Sequence, residues 1–273
     1  MNRSRPLNYF QYWWSRRCGG RSVLRLALPL IISTASWTVM HFVDRMFLLW
    51  ESTQAMAAAM PAGLLYFTFL CLPLGVASYA NTFVAQYQGA GRPGRIGLAV
   101  WQAARVGLFG IPIYLASIPL APAIFRLAGH DPGLLHLEVI FYQVNCFGAG
   151  GMLMAAALSS FFTGRGETKM VMYVDMTAAL LNVVLDYLWI FGHLGFPAGG
   201  IEGAAWATVA SQWFRVLAYW RLMSRPVYRH KYGIVAGRRL DLALLLRLFR
   251  YGGPNGLQML LEVSAFSIFM LLV

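Results

Sequence analysis

MTAALLNVVLDYLWIFG, at residues 176–192, is apolar enough to lie in lipid, yet it carries Asn182 and Asp186. These two polar residues are four positions apart, so on a helix they lie on one face, one turn from each other. A carboxylate at the centre of a bilayer costs roughly 2.5 to more than 10 kcal/mol, so it is usually paired, faces a cavity or binds a cation. A carboxylate buried only for packing is the simpler alternative. We interpret the stretch as a membrane helix with a functional polar face.

The composition of the whole chain agrees with this interpretation. Of its 273 residues, 59% are hydrophobic and 12% are charged, about half the charged fraction of a soluble domain. The net charge of +12 is distributed over short segments between apolar runs, which is typical of membrane orientation and does not indicate a nucleic-acid partner. Cys18, Cys71 and Cys146 are far apart, so neither a disulfide framework nor a zinc site is predicted. The class predicted is an all-α polytopic membrane protein.

Seven apolar segments follow one another along the chain, at roughly 24–49, 57–86, 98–125, 134–161, 170–191, 201–223 and 244 to the end. Each has about the 20 residues that a helix needs to cross hydrocarbon. The tail and the even-numbered connections carry most of the basic residues, whereas the odd-numbered connections offer only Arg45 and Arg126. Because basic residues mark the cytoplasmic side, we predict an inner-membrane protein with a cytoplasmic amino terminus. The predicted units are a basic tail (1–23), a six-helix lobe (24–223), a cytoplasmic linker (224–243) and the start of a second lobe (244–273).

This orientation places polar residues of three different segments at one depth. Counted at 1.5 Å per residue from the outer ends, Asp44 and Asp186 lie about 9 Å deep, Thr208 about 10 Å and Asn182 about 15 Å. Their oxygen atoms suit a proton or a small hard cation. The alternative is that Asp44 snorkels to the surface and is neutralised by Arg45 beside it. The sequence predicts a cation site built from these four residues, with no cofactor beyond the ion.

Other residues inside the apolar segments carry weaker expectations. Pro29 removes a backbone hydrogen bond and should kink the first helix, either as a static bend or as a joint that moves when Asp44 changes its protonation. Arg105 and Arg215 are expected to snorkel or to face a cavity, and Asp175 is expected at the membrane interface. The small residues at 148–151, GAGG, predict close contact between helices.

The two ends of the chain suggest a repeat. RLALP at residues 25–29 opens the first apolar segment, and RYGGP at residues 250–254 opens the seventh. Both segments start on the cytoplasmic side, as in a parallel repeat of six helices each. The sequence ends within the seventh segment, so we expect the first half of a twelve-span transporter and the beginning of the second half.

At these residues the chain resembles the multidrug and toxic-compound extrusion (MATE) family of cation-coupled antiporters. The resemblance runs from about Leu24 to the end. It is carried by FFTGRGET (161–168), Asn182 to Asp186, IFG (190–192), GFP (195–197), GAAWATVASQ (203–212), and the spacing of Pro29 and Asp44. It implies a V-shaped fold of two six-helix lobes and an H⁺ or Na⁺ site at Asp44, Asn182, Asp186 and Thr208. Glu262, in QMLLEVS (258–264), matches a seventh-helix carboxylate that some branches use as a second cation site. The chain departs from the family in length, since the second lobe is nearly absent.

The function expected is export of an amphipathic or cationic compound in exchange for H⁺ or Na⁺. Protonation of Asp44 or Asp186, or Na⁺ between them, would let the first helix bend at Pro29 and release the compound outward. A lipid-linked oligosaccharide flippase of the same superfamily is the first alternative and requires a markedly basic cavity. An intramembrane aspartyl protease is the second and requires two carboxyls that share a proton. GxSxG and HExxH are missing from the sequence, so a serine or zinc hydrolase is not predicted.

Overall fold

Long helices joined by short turns form the computed structural model, which describes residues 14, 16, 19–127 and 132–272, with backbone only at 132 and 266–272. Most of the predicted basic tail therefore lies outside the described residues, as does Cys18. The helices are α1 (Gly20–Glu51), α2 (Thr53–Ser78), α3 (Ala80–Gly89), α4 (Ile96–Ser117), α5 (Ala121–Leu127), α6 (Pro132–Thr163), α7 (Thr168–Phe191), α8 (Gly200–Met223), α9 (Pro226–Arg229) and α10 (Leu242–Leu272). The described part of the chain contains no strand, so the all-α prediction is confirmed.

The seven predicted apolar segments correspond to these helices, with two interruptions. The second segment breaks at Tyr79 between α2 and α3, and the third changes to a 3₁₀ turn at Ile118–Leu120, which contains Pro119. Five helical stretches among the described residues are long and apolar enough to cross a membrane: Gly20–Glu51, Thr53–Gly89, Pro93–Leu127, Gly133–Thr163 and Thr168–Phe191. The sixth predicted span, α8, is long enough but less apolar than these five. In α8 the polar side chains of Gln212 and Arg215 are buried inside the bundle.

Helix α6 lies at the centre of the bundle, where it packs against α2, α4 and α8. Helix α1 packs along α7, α7 packs on α8, and α10 packs along α2. The predicted close contacts at 148–151 are confirmed, because Gly148 faces Val209 of α8 and Gly150 faces Ile111 of α4. A side chain at Gly150 would overlap Ile111, so the absence of one lets the two helices approach.

A single residue joins α1 to α2. Helix α1 ends at Glu51 and α2 begins at Thr53, and Ser52 between them has extended backbone angles. The Ser52 hydroxyl accepts hydrogen bonds from the backbone N–H groups of Gln54 (3.2 Å) and Ala55 (3.3 Å). Serine is a favoured residue at this capping position because it satisfies N–H groups that the first helical turn leaves free. The sharp turn is therefore stabilised by its own sequence.

The predicted linker at 224–243 lies against α4. Backbone N–H of Gly97 donates to the carbonyl of Tyr232 (2.9 Å), and the Trp101 indole donates to the carbonyl of Ile234 (2.9 Å). Gln102 donates to the carbonyl of Arg239 (3.0 Å), and Arg105 donates to the carbonyls of Arg238 and Arg239. Arg105 therefore binds the carbonyls of the linker, a partner that the sequence analysis did not predict.

Candidate functional site

Helix α7 carries its polar residues on the buried face. Along it the buried positions include Asp175, Ala178, Asn182, Asp186 and Ile190, which recur every three or four residues. The opposite face, with Leu180, Val184 and Tyr187 among others, is exposed and apolar. This arrangement suits a helix with lipid on one side and a polar bundle interior on the other. The spacing of Asn182 and Asp186 therefore places both side chains inside the protein.

Asn182 connects α7 to α8. With its amide oriented by the surrounding donors and acceptors, the nitrogen donates to Asp186 Oδ2 (3.0 Å) and the oxygen accepts from the backbone N–H of Thr208 (3.3 Å). Asn182 is 1% exposed and Asp186 is fully buried. The sequence reasoning proposed the Thr208 hydroxyl as a ligand, whereas the contact observed here uses the Thr208 backbone.

Asp44 of α1 lies beside this pair. Its side chain is buried, and it is close enough to Asp186 for the two carboxylate charges to interact. Within the described residues, one oxygen of each carboxylate, Oδ1 in both cases, is buried without a hydrogen-bond partner. A buried carboxylate oxygen without a partner is costly. The two free oxygen atoms are therefore suited to receive a proton or a small cation, which would remove that cost.

A cavity of about 420 Å³ opens next to Asp44, between α1, α2, α6 and α8. Asp44 and Thr208 belong to its wall together with aromatic side chains that include Trp37, Tyr66 and Phe141. Asn182 and Asp186 lie behind this wall, within the α7–α8 pair. A compound in the cavity and an ion on the carboxylates would thus both be neighbours of Asp44.

The two remaining predicted site residues lie elsewhere. Pro29 is buried in α1, about 22 Å along the helix from Asp44 at 1.5 Å per residue, and α1 is continuous through it. Glu262 is exposed on α10, where it accepts a hydrogen bond from Gln258 (2.8 Å). The structure therefore brings together Asp44, Asn182, Asp186 and Thr208, but not Pro29 or Glu262.

A second buried polar cluster was missed by the sequence reasoning. Asp175, expected at the membrane interface, is 4% exposed and binds Arg215 of α8 (3.0 Å). The same carboxylate accepts hydrogen bonds from Ser33 of α1 and from Tyr219 (2.9 Å). Arg215 also lies over the ring of Trp37, a residue of the cavity wall (4.6 Å). The expected interfacial depth of Asp175 stays a prediction, but its burial and its partners were not foreseen, although its spacing of seven residues from Asn182 puts both on one helical face.

Comparisons with known proteins are consistent across sequence and structure. The model of the family MatE matches residues 29–188. The chain is 26% identical over 258 residues to a probable multidrug resistance protein NorM of Neisseria meningitidis, covering 93% of this chain and 56% of the relative. It is 29% identical over 256 residues to the multidrug resistance protein MdtK of Klebsiella pneumoniae, with the same two shares. The chain thus spans about half the length of the curated relatives it matches.

Solved structures show the same fold. A eukaryotic MATE transporter, AtDTX14, superposes with a TM-score of 0.81 at 19% identity, over 92% of this chain and 55% of that one. An outward-facing multidrug resistance MATE family transporter of the MOP superfamily gives 0.79 at 21% identity, over 90% and 54%. The predicted helical lobe is confirmed by these likenesses.

Proposed function

Since this chain belongs to the MATE family, whose model matches more than half of it, we propose that it is the amino-terminal lobe of a secondary antiporter. In this proposal the transporter exports amphipathic or cationic compounds in exchange for H⁺ or Na⁺. The names of the relatives, which are multidrug resistance proteins, support export of foreign compounds. This chain covers only 54–56% of those relatives, so we also propose that transport needs the equivalent of their second half.

The observation that carries the proposal is the pair Asp44 and Asp186. Two carboxylates interact inside the bundle, and each has a buried oxygen without a partner. Two such anions repel each other and are poorly solvated, so a bound proton or Na⁺ relieves both costs. Asn182 holds Asp186 from the α7 side and contacts the backbone of α8. Ion binding at Asp44 and Asp186 would therefore change the contact between α1 and the α7–α8 pair.

Coupling between the ion and the compound follows from the position of Asp44, which belongs to both sites. The cavity and the carboxylate pair meet at Asp44, so an ion that neutralises Asp44 also changes the charge that a bound compound meets. Only a difference in affinity between two conformations moves a transporter from one to the other. We propose that the ion favours a conformation in which the cavity releases its compound, with bending of α1 at Pro29 as the motion. We also propose Glu262, on α10 at the start of the second lobe, as a second cation site.

We propose a cell membrane location with a cytoplasmic amino terminus, on the basis of the basic residues in the connections between helices.

We propose that the protein is a transporter and not an enzyme. Asp44 and Asp186 interact without a hydrogen bond between them among the described contacts, whereas aspartyl proteolysis needs a shared proton. A flippase for lipid-linked oligosaccharides would need a markedly basic cavity, but Arg45 is the one arginine among the described lining residues and lies next to Asp44, while Arg105 is bound to the linker and Arg215 to Asp175.

The test is dye efflux from an efflux-deficient bacterium that expresses the complete gene encoding this chain. We expect Asp44→Asn and Asp186→Asn each to reduce efflux at least about tenfold, because neither amide can exchange a proton or supply a charge to Na⁺. Glu202→Gln, at an exposed carboxylate at the start of α8, is the matched control and should keep wild-type efflux. Imposing a H⁺ or a Na⁺ gradient separately identifies the coupling ion. Wild-type efflux in both aspartate variants would remove the proposed function.

A further inference from the structure

Arg45 contributes a guanidinium group to the cavity wall. It follows Asp44 on α1 and lines the same cavity. Its Nη2 lies 3.5 Å from the position that a Cβ would take at Gly63. A Cβ at that distance would make ordinary van der Waals contact, so the guanidinium of α1 lies directly beside Gly63 of α2.

Nothing in the described part of the chain satisfies this group fully. Arg45 Nη1 is buried and has no hydrogen-bond partner. Asp44, its neighbour in sequence, exerts an electrostatic attraction but makes no described hydrogen bond with it. Successive residues on a helix point about 100° apart, which accounts for two opposite charges side by side without a direct pair. Arg215 and Arg165 each bind a carboxylate, Asp175 and Glu167, although Nε and Nη1 of Arg165 are also without a hydrogen-bond partner; for Arg45 no carboxylate contact is described.

The guanidinium of Arg45 in the cavity wall defines the ligand that fits there. A planar guanidinium binds a carboxylate through two parallel hydrogen bonds, and such charge-assisted bonds are about twice as strong as neutral ones. They gain further in a cavity with little water. Trp37, Phe67 and Phe141 in the same wall offer aromatic surface for an apolar ring system. Asp44 on the adjacent position offers a negative charge to a cationic group of the same ligand.

We propose that Arg45 is the anion-binding group of this cavity, and that the cavity selects amphipathic aromatic compounds that carry a carboxylate, zwitterions included. This inference rests on the proposed function, because it takes the cavity to be the compound-binding site of the transporter. It narrows the substrate class from cationic compounds in general to compounds with an anion held by Arg45.

The experiment compares two dyes with one ring system. Rhodamine 110 carries a free carboxylate, and rhodamine 123 is its methyl ester, so they differ in the group that Arg45 would bind. Binding is measured by fluorescence polarisation on the full chain in lipid nanodiscs, with empty nanodiscs subtracted. We expect the wild type to bind the acid about tenfold more tightly than the ester, as befits a charge-assisted bidentate contact. The variants are Arg45→Gln, Arg45→Lys and, at an exposed position near the end of α8, Arg221→Gln.

Arg45→Gln should bring the ratio of the two affinities to about one by weakening the acid and not the ester, since the glutamine amide lacks the charge. Arg45→Lys should give an intermediate ratio, and Arg221→Gln the wild-type ratio. An unchanged ratio in Arg45→Gln, equal weakening of both dyes, or a wild type without preference overturns the inference. If Arg45→Gln does not fold, Arg45→Lys takes its place: a ratio below that of the wild type supports the inference, and an unchanged ratio overturns it. A wild type that binds neither dye overturns the cavity as a compound site as well, whereas a failed dye preference beside lost efflux in Asp44→Asn overturns the Arg45 inference alone.

Discussion

Asp175 and Arg215 show how single charges are accommodated inside this bundle. The Asp175 carboxylate contacts Nε and Nη2 of Arg215 and accepts hydrogen bonds from the hydroxyls of Ser33 and Tyr219. Arg215 in turn donates to Gln212 (3.1 Å) and lies over Trp37. Both charges are therefore hydrogen-bonded, unlike Asp44 and Asp186, where an oxygen of each remains free. The first cluster is a satisfied structural network joining α1, α7 and α8, and the second retains the capacity to take an ion.

Breaking the satisfied pair from the arginine side should be costly. Removal of one partner of a buried ion pair leaves an unpaired charge, which typically costs about 3–5 kcal/mol. We expect Arg215→Gln to lower the free energy of unfolding by about 3 kcal/mol, measured by denaturant unfolding in mixed micelles. Arg221→Gln, which changes an exposed arginine of the same helix, should stay within about 0.5 kcal/mol. Equal stability of the two variants would contradict the assignment of a structural role to Arg215.

The difference between these clusters explains what the sequence could predict about single residues. The spacing of Asn182 and Asp186 determines that they share a face, and their contact is present in the structure. Asp175 lies on the same face by the same rule, but its position near a helix end favoured the interface. Its burial depends on Arg215 and Ser33, which lie 40 and 142 residues away along the chain. Helical periodicity does not give the partner of a residue on another helix.

Glycine determines how closely pairs of helices approach in this bundle. At the crossing of α2 and α10, a Cβ at Gly75 would overlap the backbone of Gly256, and a Cβ at Gly256 would overlap the carbonyl of Leu72. Gly252, one turn before Gly256, meets the backbone of Val76. Small residues four apart allow such backbone contact in membrane helices, where apolar burial contributes little to helix association.

Filling this contact should separate α10 from α2. Gly256→Leu places a side chain where backbone atoms lie, so we expect a loss of at least about 2 kcal/mol in unfolding free energy, in the range of overpacked positions. Gly253→Leu is the matched control, because a Cβ at Gly253 meets nothing within 4 Å. Cysteine cross-linking between α2 and α10 reports the same separation directly. Comparable cross-linking in both leucine variants would show that the glycine contact does not position α10.

Element boundaries were predictable to within a few residues wherever an apolar run ended in polar or glycine residues. The turn that ends α7 at Gly192, with a positive φ of 73°, is such a case, since glycine tolerates this left-handed backbone. The interruptions at Tyr79 and Ile118–Leu120 were not predicted, because the apolar character continues through both. Hydrophobic runs locate a span but do not reveal a change of helical direction within it.

The linker is held to the lobe by two sets of contacts. On one side, residues 97–105 of α4 bind linker carbonyls between Tyr232 and Arg239. On the other, the Arg165 guanidinium lies over the rings of Tyr228 (4.5 Å) and Tyr232 (4.3 Å). Such cation–π contacts stabilise by about 0.5–2 kcal/mol each. The linker and the lobe are thereby connected through contacts that the sequence pattern alone did not predict.

Loosening the linker should expose it to protease. Arg105→Ala removes the donors to the carbonyls of Arg238 and Arg239, so we expect trypsin to cleave after these residues about fivefold to tenfold faster, as local opening becomes easier. Arg92→Ala, at an exposed turn, serves as control. Cleavage is followed in nanodiscs by mass spectrometry of the fragments. An Arg105→Ala linker cut no faster than that of the control would mean that these bonds do not restrain it.

The turn at Ser52 makes Glu51 the fixed point, or fulcrum, about which α1 can tilt. One intervening residue holds Glu51 and Thr53 within about 7 Å of each other, so this end of α1 cannot leave α2. Any tilt of α1 then grows along its length, and Asp44 travels roughly a third as far as Pro29, in proportion to 7 and 22 residues from the fulcrum at 1.5 Å each. If α1 tilts as a rigid body, a small displacement where an ion binds thus becomes about three times larger at Pro29, along the contact between α1 and α7.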